Sequence, residues 1–203
     1  MTLFAAKGTI ASASAIALEE AGLDYTLNLI NFAQSDQTRP DYLAINPKGR
    51  VPALAVDGAV ITETGAILEY IAALAPQAQL VPSDPMQAAR MREMMFYLAS
   101  TMHVNHAHKM RGHRWADNPA SHADMTAKVP QTMTDSCTYV EDFIAGPFVL
   151  GDQISLADAY LYAVSCWLDG DGVDLQAFPK ITAFRAHFAA RPSVTHMMQK
   201  GIL

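Results

Sequence analysis

The chain has few charged residues and a surplus of acidic over basic ones, and both features exclude classes of protein. Charged residues make up 17% of the 203 residues and hydrophobic residues 51%, so the sequence predicts a folded protein with a substantial core. Its 14 basic residues against 20 acidic ones give a net charge of -6. This balance argues against nucleic acid as a partner, because phosphates require a basic protein face.

Cysteines and long apolar runs are scarce as well. Cys137 and Cys166 are the two cysteines, each in a helical pattern, and they form no Cys-x-x-Cys pair. A disulfide scaffold is therefore not predicted, and we interpret both as inert core thiols. No stretch reaches the ~18 apolar residues of a membrane span, and the first residues lack the pattern of a secretory signal. We expect a cytoplasmic protein without a membrane partner.

The first part of the chain, residues 1–76, is predicted to alternate short strands with helices. Apolar runs and their boundary residues predict a strand, a helix, a strand and a short helix at residues 2–5, 12–21, 25–30 and 40–44. Asp57-Gly58 between two apolar runs predicts a tight hairpin turn, and Thr62 is expected to cap the helix that follows. This order is typical of a small α/β domain with a mixed sheet.

The second part of the chain is predicted to be helical throughout. Proline-rich residues 77–85 are expected to form a linker, and residues 86–203 an all-helical domain. Two apolar stripes at helical spacing follow the linker: Met91, Met95, Leu98 and Met102, and beside them Phe96, Ala99, His103, His106, Met110 and His113. Two adjacent stripes predict a helix that is buried over a wide arc.

Two segments carry most of the functional information. The first is Asn46-Pro47-Lys48-Gly49-Arg50-Val51-Pro52-Ala53-Leu54, and the second is Glu63-Thr64-Gly65-Ala66-Ile67-Leu68. Pro52 suits the start of an edge strand, because proline cannot donate to a sheet. The amides at a helix start attract a carboxylate, Thr64 adds a hydroxyl, and Glu63 supplies a charge suited to an ammonium group. Ordinary complementation of the helix dipole is the competing interpretation of Glu63.

Together these segments resemble the glutathione-binding core of the glutathione transferase superfamily, bacterial type. The resemblance implies an N-terminal thioredoxin-like domain with a mixed sheet, followed by the all-helical domain of these enzymes. It also implies that the Val51-Pro52 bond is cis, so that the N–H and C=O of Val51 pair with the cysteinyl part of glutathione like an added strand. Glu63 and Thr64 would hold the γ-glutamyl end, with Lys48 or Arg50 as further contacts.

A third segment, Gly151-Asp152-Gln153-Ile154-Ser155-Leu156-Ala157-Asp158, resembles a capping motif in the second domain of the same superfamily. Ser155 and Asp158 are placed to form a capping box at a helix start. Their role is expected to be structural. Loss of half the box in Asp158→Ala is predicted to cost ~0.5–2 kcal/mol.

A transferase of this kind must ionise the glutathione thiol, whose free pKa is ~8.5. The resemblance places the group that stabilises the ionised thiol in the loop at residues 7–14, where many bacterial relatives carry cysteine, serine or tyrosine. Here Ile10 and Ala11 align with the cysteine and serine of the cysteine-bearing class. Thr9 and Ser12 are the nearest hydroxyls, although either one can instead stabilise the helix start. The backbone amides of Ile10 or Ala11 are the alternative sulfur ligands.

The histidines and aspartates of the second domain suggest a pocket and not a metal site. His103 and His106 are three residues apart on one helix face, but no third ligand is evident, so no metal is predicted. The resemblance implies a histidine that lines the cleft, and His103 matches it. Trp115 is interpreted as a wall of the electrophile pocket or, equally, as core. Aspartates at 169, 171 and 174 are interpreted as a solvated turn.

The sequence therefore predicts an enzyme that binds glutathione and directs its thiol at a small apolar electrophile, with no metal. Two alternatives remain open. One is a different glutathione chemistry, such as disulfide reduction or ether cleavage, and the other is a non-catalytic binding or scaffold protein with this fold. The resemblance also implies a homodimer.

Overall fold

The computed structural model describes all 203 residues. Its first domain contains a four-stranded sheet in the order β2-β1-β3-β4. The strands are β1 (Thr2–Ala5), β2 (Thr26–Leu29), β3 (Ala53–Val56) and β4 (Ala59–Thr62). β1 pairs in parallel with β2 and antiparallel with β3, and β3 pairs antiparallel with β4. The sheet is therefore mixed, as predicted.

Three helices accompany this sheet: α1 (Ala11–Glu20), α2 (Pro40–Ile45) and α3 (Thr64–Leu74). α1 consists mainly of alanine and serine, and all but its last two residues are buried. A helix without a polar face belongs in the interior, and α1 packs against α3 on one side and against the second domain on the other. Gly22 ends the helix with φ 65, a conformation that glycine adopts without a steric penalty.

The hairpin and the helix after it differ in how well the sequence predicted them. Asp57 and Gly58 both have positive φ, 48 and 84, as the tight hairpin turn requires. The prediction that Thr62 caps α3 was wrong. Thr62 is the last residue of β4, where it pairs with Ala53, and Glu63 occupies the cap position. The hydroxyl of Thr62 accepts a hydrogen bond from Lys48 Nζ at 2.7 Å instead.

The second domain is all-helical, which confirms the predicted fold class. Its helices are α4 (Pro85–Tyr97), α5 (His103–Arg111), α6 (Pro119–Phe143), α7 (Leu156–Ser165), α8 (Pro179–Ala189) and α9 (Pro192–Gln199). A π-helical turn, Leu98–Met102, joins α4 to α5. Every residue of α7 is buried, so α7 forms the centre of this domain. None of the helices combines the length and the apolar character that crossing a membrane demands.

The start of α7 contains the predicted capping box. The buried carboxylate of Asp158 accepts hydrogen bonds from the amide and the hydroxyl of Ser155, at 2.7 and 2.8 Å. It accepts a third from the amide of Val149 at 2.7 Å, which the sequence did not predict. Burial raises the pKa of Asp158 to about 6, although the three donors oppose that rise. The box therefore also fixes the loop that precedes the helix.

The two domains share one core and a polar clamp. One cluster of buried apolar side chains extends from Leu3 in β1 to Val194 in α9. At its edge, Arg191 donates from Nε and Nη2 to the two carboxylate oxygens of Glu20, at 2.6 and 2.7 Å. The hydroxyl of Ser193 adds a bond of 2.5 Å to the same carboxylate. Paired, parallel bonds of this kind give orientation as well as energy, so the domains pack as one body.

Candidate active site

A cavity of about 1060 Å³ lies between the two domains, where α1 and α3 begin and α5 passes by. Its lining contains most of the residues that the sequence analysis singled out: Thr9, Ile10, Lys48, Arg50, Val51, Pro52, Glu63, Thr64, His103, His106 and Trp115. Ser12 does not line it. The fold thus places three separate segments of the first domain opposite one helix of the second.

The turn before β3 presents an open edge to this cavity. The peptide bond between Val51 and Pro52 is cis, as the resemblance implied. Neither the N–H nor the C=O of Val51 has a hydrogen-bond partner within the chain. The carbonyl of Arg50, by contrast, accepts bonds from Tyr42 Oη at 2.6 Å and from Asn46 Nδ2 at 2.7 Å. A fixed turn with one free donor and one free acceptor is an edge to which an extended peptide can add.

The start of α3 supplies further free donors. Intrahelical bonding begins with the Ile67 amide, which donates to the Glu63 carbonyl at 3.0 Å. The preceding amides, those of Thr64, Gly65 and Ala66, have no acceptor within the chain. All three residues line the cavity. Because the amino end of a helix is also its positive end, this site favours a carboxylate.

Glu63 adopts an unusual backbone conformation at this helix start. Its φ and ψ of 72 and 123 lie in a region that costs a non-glycine residue about 1–3 kcal/mol. The side chain is 71% exposed and forms an ion pair with Lys48. Such strain is concentrated at ligand sites in proteins. Glu63 therefore holds a negative charge directly beside the free amides of α3.

The start of α1 separates the two predicted hydroxyl groups. Thr9 lines the cavity, where its hydroxyl donates to the Ala6 carbonyl at 2.7 Å. The neighbouring amide of Ile10 has no acceptor within the chain. Ser12 is buried, and its hydroxyl donates to the Thr9 carbonyl at 3.0 Å. The structure therefore leaves the Ile10 amide as a free donor toward the cavity, whereas the Thr9 hydroxyl lines the cavity but is engaged with Ala6, and Ser12 does not reach the cavity.

Gly8, directly before these donors, is fixed by the second domain. Its amide donates to the carbonyl of Ile202 at 2.9 Å, and its carbonyl accepts from Trp167 Nε1 at 3.0 Å. Trp167 also lines the cavity. These contacts were missed at the sequence level, because no local pattern indicates that the ends of the chain meet.

Helix α5, on the second-domain side of the cavity, carries a histidine whose ring is held in place by its neighbours. His106 Nδ1 lies 2.7 Å from Asp171 Oδ2, and the ring stacks on Trp167 with 4.2 Å between centroids. Asp171 is 2% exposed and also pairs with Lys109 at 3.2 Å. The interpretation of this region as a solvated turn was therefore wrong for Asp171. The chain after α7 folds back onto α5, and the aspartate becomes a buried anchor.

His103 is a second, differently placed histidine in the same wall. Burial, and after it the charges of neighbouring groups, lower the pKa of His103 to about 4. These neighbours are His106, Arg114, Arg50 and Arg111. At neutral pH His103 is thus an uncharged imidazole. Tyr160 also lines the cavity, and burial raises the pKa of its phenol far above the ordinary value, so the phenol stays protonated.

The expectation that both apolar stripes of α4 and α5 are buried is correct for only one of them. The first stripe is buried as predicted, with Met91 and Met102 fully enclosed. The second stripe is not: Phe96 and Met110 are 71% and 76% exposed, and both line the cavity. Trp115, 46% exposed, lines it as well, which favours the pocket interpretation over the core.

Neither of the two cysteines belongs to this site. Cys137 is buried, whereas Cys166 is exposed and so departs from the predicted core position. Neither of them lines the cavity. No three His, Cys, Asp or Glu side chains of the chain converge in a way that would hold a metal ion.

Comparison with known proteins agrees with this arrangement. The family model for the glutathione S-transferase N-terminal domain matches residues 1–73, and the model for the glutathione S-transferase C-terminal domain matches residues 106–201. A glutathione S-transferase, GstA, of Escherichia coli O157:H7 is 31% identical over 96% of this chain and 95% of its own length. A maleylacetoacetate isomerase of Pseudomonas aeruginosa is 32% identical, over 88% of this chain and 85% of its own.

Solved structures show the same relationship. A glutathione transferase homologue from Sulfitobacter, crystallised with bound glutathione, is 58% identical and superposes with a TM-score of 0.98 over 100% of this chain and 98% of its own. BphK, a bacterial glutathione transferase solved as a ternary complex, is 30% identical with a TM-score of 0.88 over the whole of both chains.

Proposed function

Because this chain belongs to the glutathione S-transferase family, we propose that it binds glutathione in the cavity between its domains and directs the sulfur at an electrophilic second substrate. One observation carries the proposal. The free N–H and C=O of Val51 and the free amides at the start of α3 line the same cavity. An extended peptide with a carboxylate at one end satisfies both sets of groups.

Each part of glutathione has a partner among the residues of the cavity. The cysteinyl backbone pairs with Val51 as an added strand. The γ-glutamyl carboxylate is held by the amides of Thr64 and Gly65, helped by the Thr64 hydroxyl, because this end of α3 is electropositive. The γ-glutamyl ammonium is held by Glu63, whose side chain is 71% exposed. Lys48 pairs with Glu63 and so positions that carboxylate.

The sulfur is assigned to the start of α1. Thr9 Oγ1 and the Ile10 amide are the hydrogen-bond donors that the cavity offers there. To donate to sulfur, the Thr9 hydroxyl has to give up its hydrogen bond to the Ala6 carbonyl. The thiolate is the nucleophile and the proton leaves to solvent, so stabilising the anion raises the fraction that reacts at neutral pH.

The hydrogen bonds and the helix start can supply the free energy that lowering the thiol pKa requires. Lowering a thiol pKa by two units takes about 2.7 kcal/mol. A hydrogen bond to a charged group contributes about 1.5–3 kcal/mol, and a helix amino end about 0.3–1 kcal/mol. One hydroxyl with one amide at a helix start therefore suffices for a thiol that is half ionised near neutral pH.

Two measurements test the proposal. Calorimetric titration with glutathione is expected to show one site per chain, and ultraviolet titration of the bound thiol to show a pKa at least one unit below that of free glutathione. Absence of binding would contradict the whole proposal. Binding with an unshifted thiol pKa would favour the alternative of a binding protein or of a different glutathione chemistry.

Assembly and location are separate proposals. The resemblance predicts a homodimer, which light scattering at micromolar concentration would detect as twice the 22.0 kDa chain mass. The scarcity of cysteine, with no disulfide pattern, predicts a cytoplasmic protein, to be tested by cell fractionation. The cavity itself is lined from both domains of one chain, so glutathione binding and assembly can be measured independently.

A further inference from the structure

The cavity is far more basic than the protein around it. Its lining contains seven cationic side chains, Lys7, Lys48, Arg50, Arg92, Lys109, Arg111 and Arg114, against two carboxylates, Glu63 and Glu69. The chain as a whole carries a net charge of -6. A concentration of one sign in a cleft, opposite to the sign of the whole molecule, indicates an anionic ligand.

Three of these cations already have partners in the fold. Lys48 pairs with Glu63, and Lys109 with the buried Asp171. Arg92 pairs with Glu69, at 2.8 Å between Nε and Oε1. Lys7 and three arginines, at positions 50, 111 and 114, have no carboxylate within ion-pair distance.

The three unpaired arginines act on one another. Burial lowers the pKa of Arg114, and the charges of Arg50 and Arg111 lower it further. Guanidinium groups stay charged in proteins, so this repulsion is not relieved by deprotonation. The guanidinium of Arg111 is held over the ring of Phe32 at 5.7 Å, which leaves its N–H edge free. Like charges held close together repel one another, and an anion bound between them would relieve that repulsion.

Glutathione accounts for only part of this charge. Of its two carboxylates, the γ-glutamyl one is assigned to the amides of α3. The glycyl one follows the cysteinyl residue that pairs with Val51, and Arg50 is the neighbour of Val51 in the first domain. Arg111 and Arg114 belong instead to the second domain, whose apolar residues Met110 and Trp115 also line the cavity, although the charges of Arg50 and Arg111 both reach Arg114.

We infer that the second substrate is itself an acid, an electrophile with an apolar body and a carboxylate that Arg111 and Arg114 hold. The bidentate fork of arginine matches a carboxylate, and Phe32, Met110 and Trp115 contact the apolar part. This inference rests on the proposed function. It replaces the expectation of a purely apolar electrophile, which the apolar residues alone would suggest.

The test uses two conjugates that share glutathione and differ by one acid group. S-benzylglutathione and S-(carboxybenzyl)glutathione are titrated calorimetrically into the wild-type protein and into the Arg111→Gln and Arg114→Gln variants. Arg39→Gln, an exposed arginine outside the cavity, removes the same charge as a control. We expect the wild type to bind the carboxybenzyl conjugate about 10- to 100-fold more tightly, as a charge-assisted hydrogen bond predicts. Both cavity variants should lose most of that ratio, and Arg39→Gln should keep it.

The outcomes separate the possible sources of the carboxylate. If both conjugates bind the wild type equally, Arg111 and Arg114 do not hold the added carboxylate. If both conjugates lose affinity equally in the cavity variants, the arginines serve the glycyl carboxylate. Either result makes the inference wrong. Both results leave glutathione binding intact. If neither conjugate binds the wild type, the proposed function fails together with the inference.

Discussion

The indole nitrogen of Trp167 donates a hydrogen bond of 3.0 Å to the carbonyl oxygen of Gly8, a residue of the other domain. Gly8 directly precedes Thr9 and Ile10, the donors assigned to the sulfur. A side chain of the helical domain therefore helps to fix the loop on which thiol activation depends.

Removing this hydrogen bond is expected to change the pKa of the bound thiol clearly and the stability of the protein only slightly. In Trp167→Phe the Gly8 carbonyl can be solvated, so the loss of stability should be only about 1 kcal/mol. The pKa of the bound thiol should rise, because the loop loses its orientation. Trp115→Phe is the control, since Trp115 lines the cavity but is no hydrogen-bond donor to Gly8. Equal thiol pKa values in both variants would show that Trp167 does not position the loop.

Thr9 and Ser12 form a matched pair for testing the sulfur ligand. Thr9→Val removes the hydroxyl that lines the cavity, and the pKa of bound glutathione is expected to rise by about 1–2 units, the equivalent of a charged hydrogen bond. Ser12→Ala removes a hydroxyl that donates to the Thr9 carbonyl and should leave the thiol pKa unchanged. Ultraviolet titration measures both. A larger effect of Ser12→Ala would exclude Thr9 as the ligand.

Glu63 is expected to determine glutathione affinity. Glu63→Ala removes the carboxylate assigned to the γ-glutamyl ammonium, and binding should weaken about 10- to 100-fold, as for the loss of a charge-assisted bond. The melting temperature should not fall, because the side chain is 71% exposed. Asp24→Ala, an exposed aspartate outside the cavity, is the control. Calorimetry that finds wild-type affinity in Glu63→Ala would remove Glu63 from the site.

His103 makes stability depend on pH. Its pKa falls from 6.5 to about 4 on folding, so the unfolded chain binds the proton more tightly. The stabilisation is complete above pH 6.5 and is lost as the pH falls toward 4. The loss attributable to His103 is roughly 3 kcal/mol at most.

His103→Gln should therefore flatten the pH dependence in that range, as measured by urea denaturation. Asp158, whose pKa is raised to about 6, contributes with the opposite sign, because its stabilisation is lost as the pH rises. Only the difference between wild type and variant isolates His103. Parallel stability curves for the two proteins would contradict its assignment as a neutral imidazole.

Asp158→Ala is expected to destabilise more than a capping box alone predicts. It leaves three buried donors without an acceptor, two of Ser155 and one of Val149. Each buried donor left without an acceptor costs about 1–3 kcal/mol, compared with ~0.5–2 kcal/mol for the loss of a cap. Chemical denaturation of this variant and of Asp152→Ala, an exposed control, measures the difference. A loss no larger than that of a cap would show that water replaces the carboxylate.

The parts of the site that depend on local chemistry could be predicted from the sequence. A proline at a strand start and a helix start with an acid and a hydroxyl are features of a few consecutive residues, so the sequence singled out Val51, Glu63 and Thr64, and all three line the cavity. Even here the exact boundary was missed: Thr62 has the residue type of a cap but belongs to β4.

The parts that depend on distant contacts could not. His106 and Asp171 are 65 residues apart, and Trp167 and Gly8 are 159 apart. No periodicity relates such pairs. Phe96 and Met110 illustrate a different limit: helical spacing shows which face is apolar, but not whether that face borders the core or a cavity. Phe96 on α4 and Met110 on α5 are exposed because both border the cavity between the domains.

The unequal distribution of charge between cleft and surface has a kinetic consequence. An acidic exterior repels anions at long range, and only ligands that approach the mouth of the cleft experience the attraction of its arginines. Added salt shortens the reach of both fields, to about 8 Å at physiological ionic strength. Encounter rates for anionic ligands should therefore respond weakly to dilute salt, as two opposing effects cancel, while the dissociation rate from the arginines accelerates.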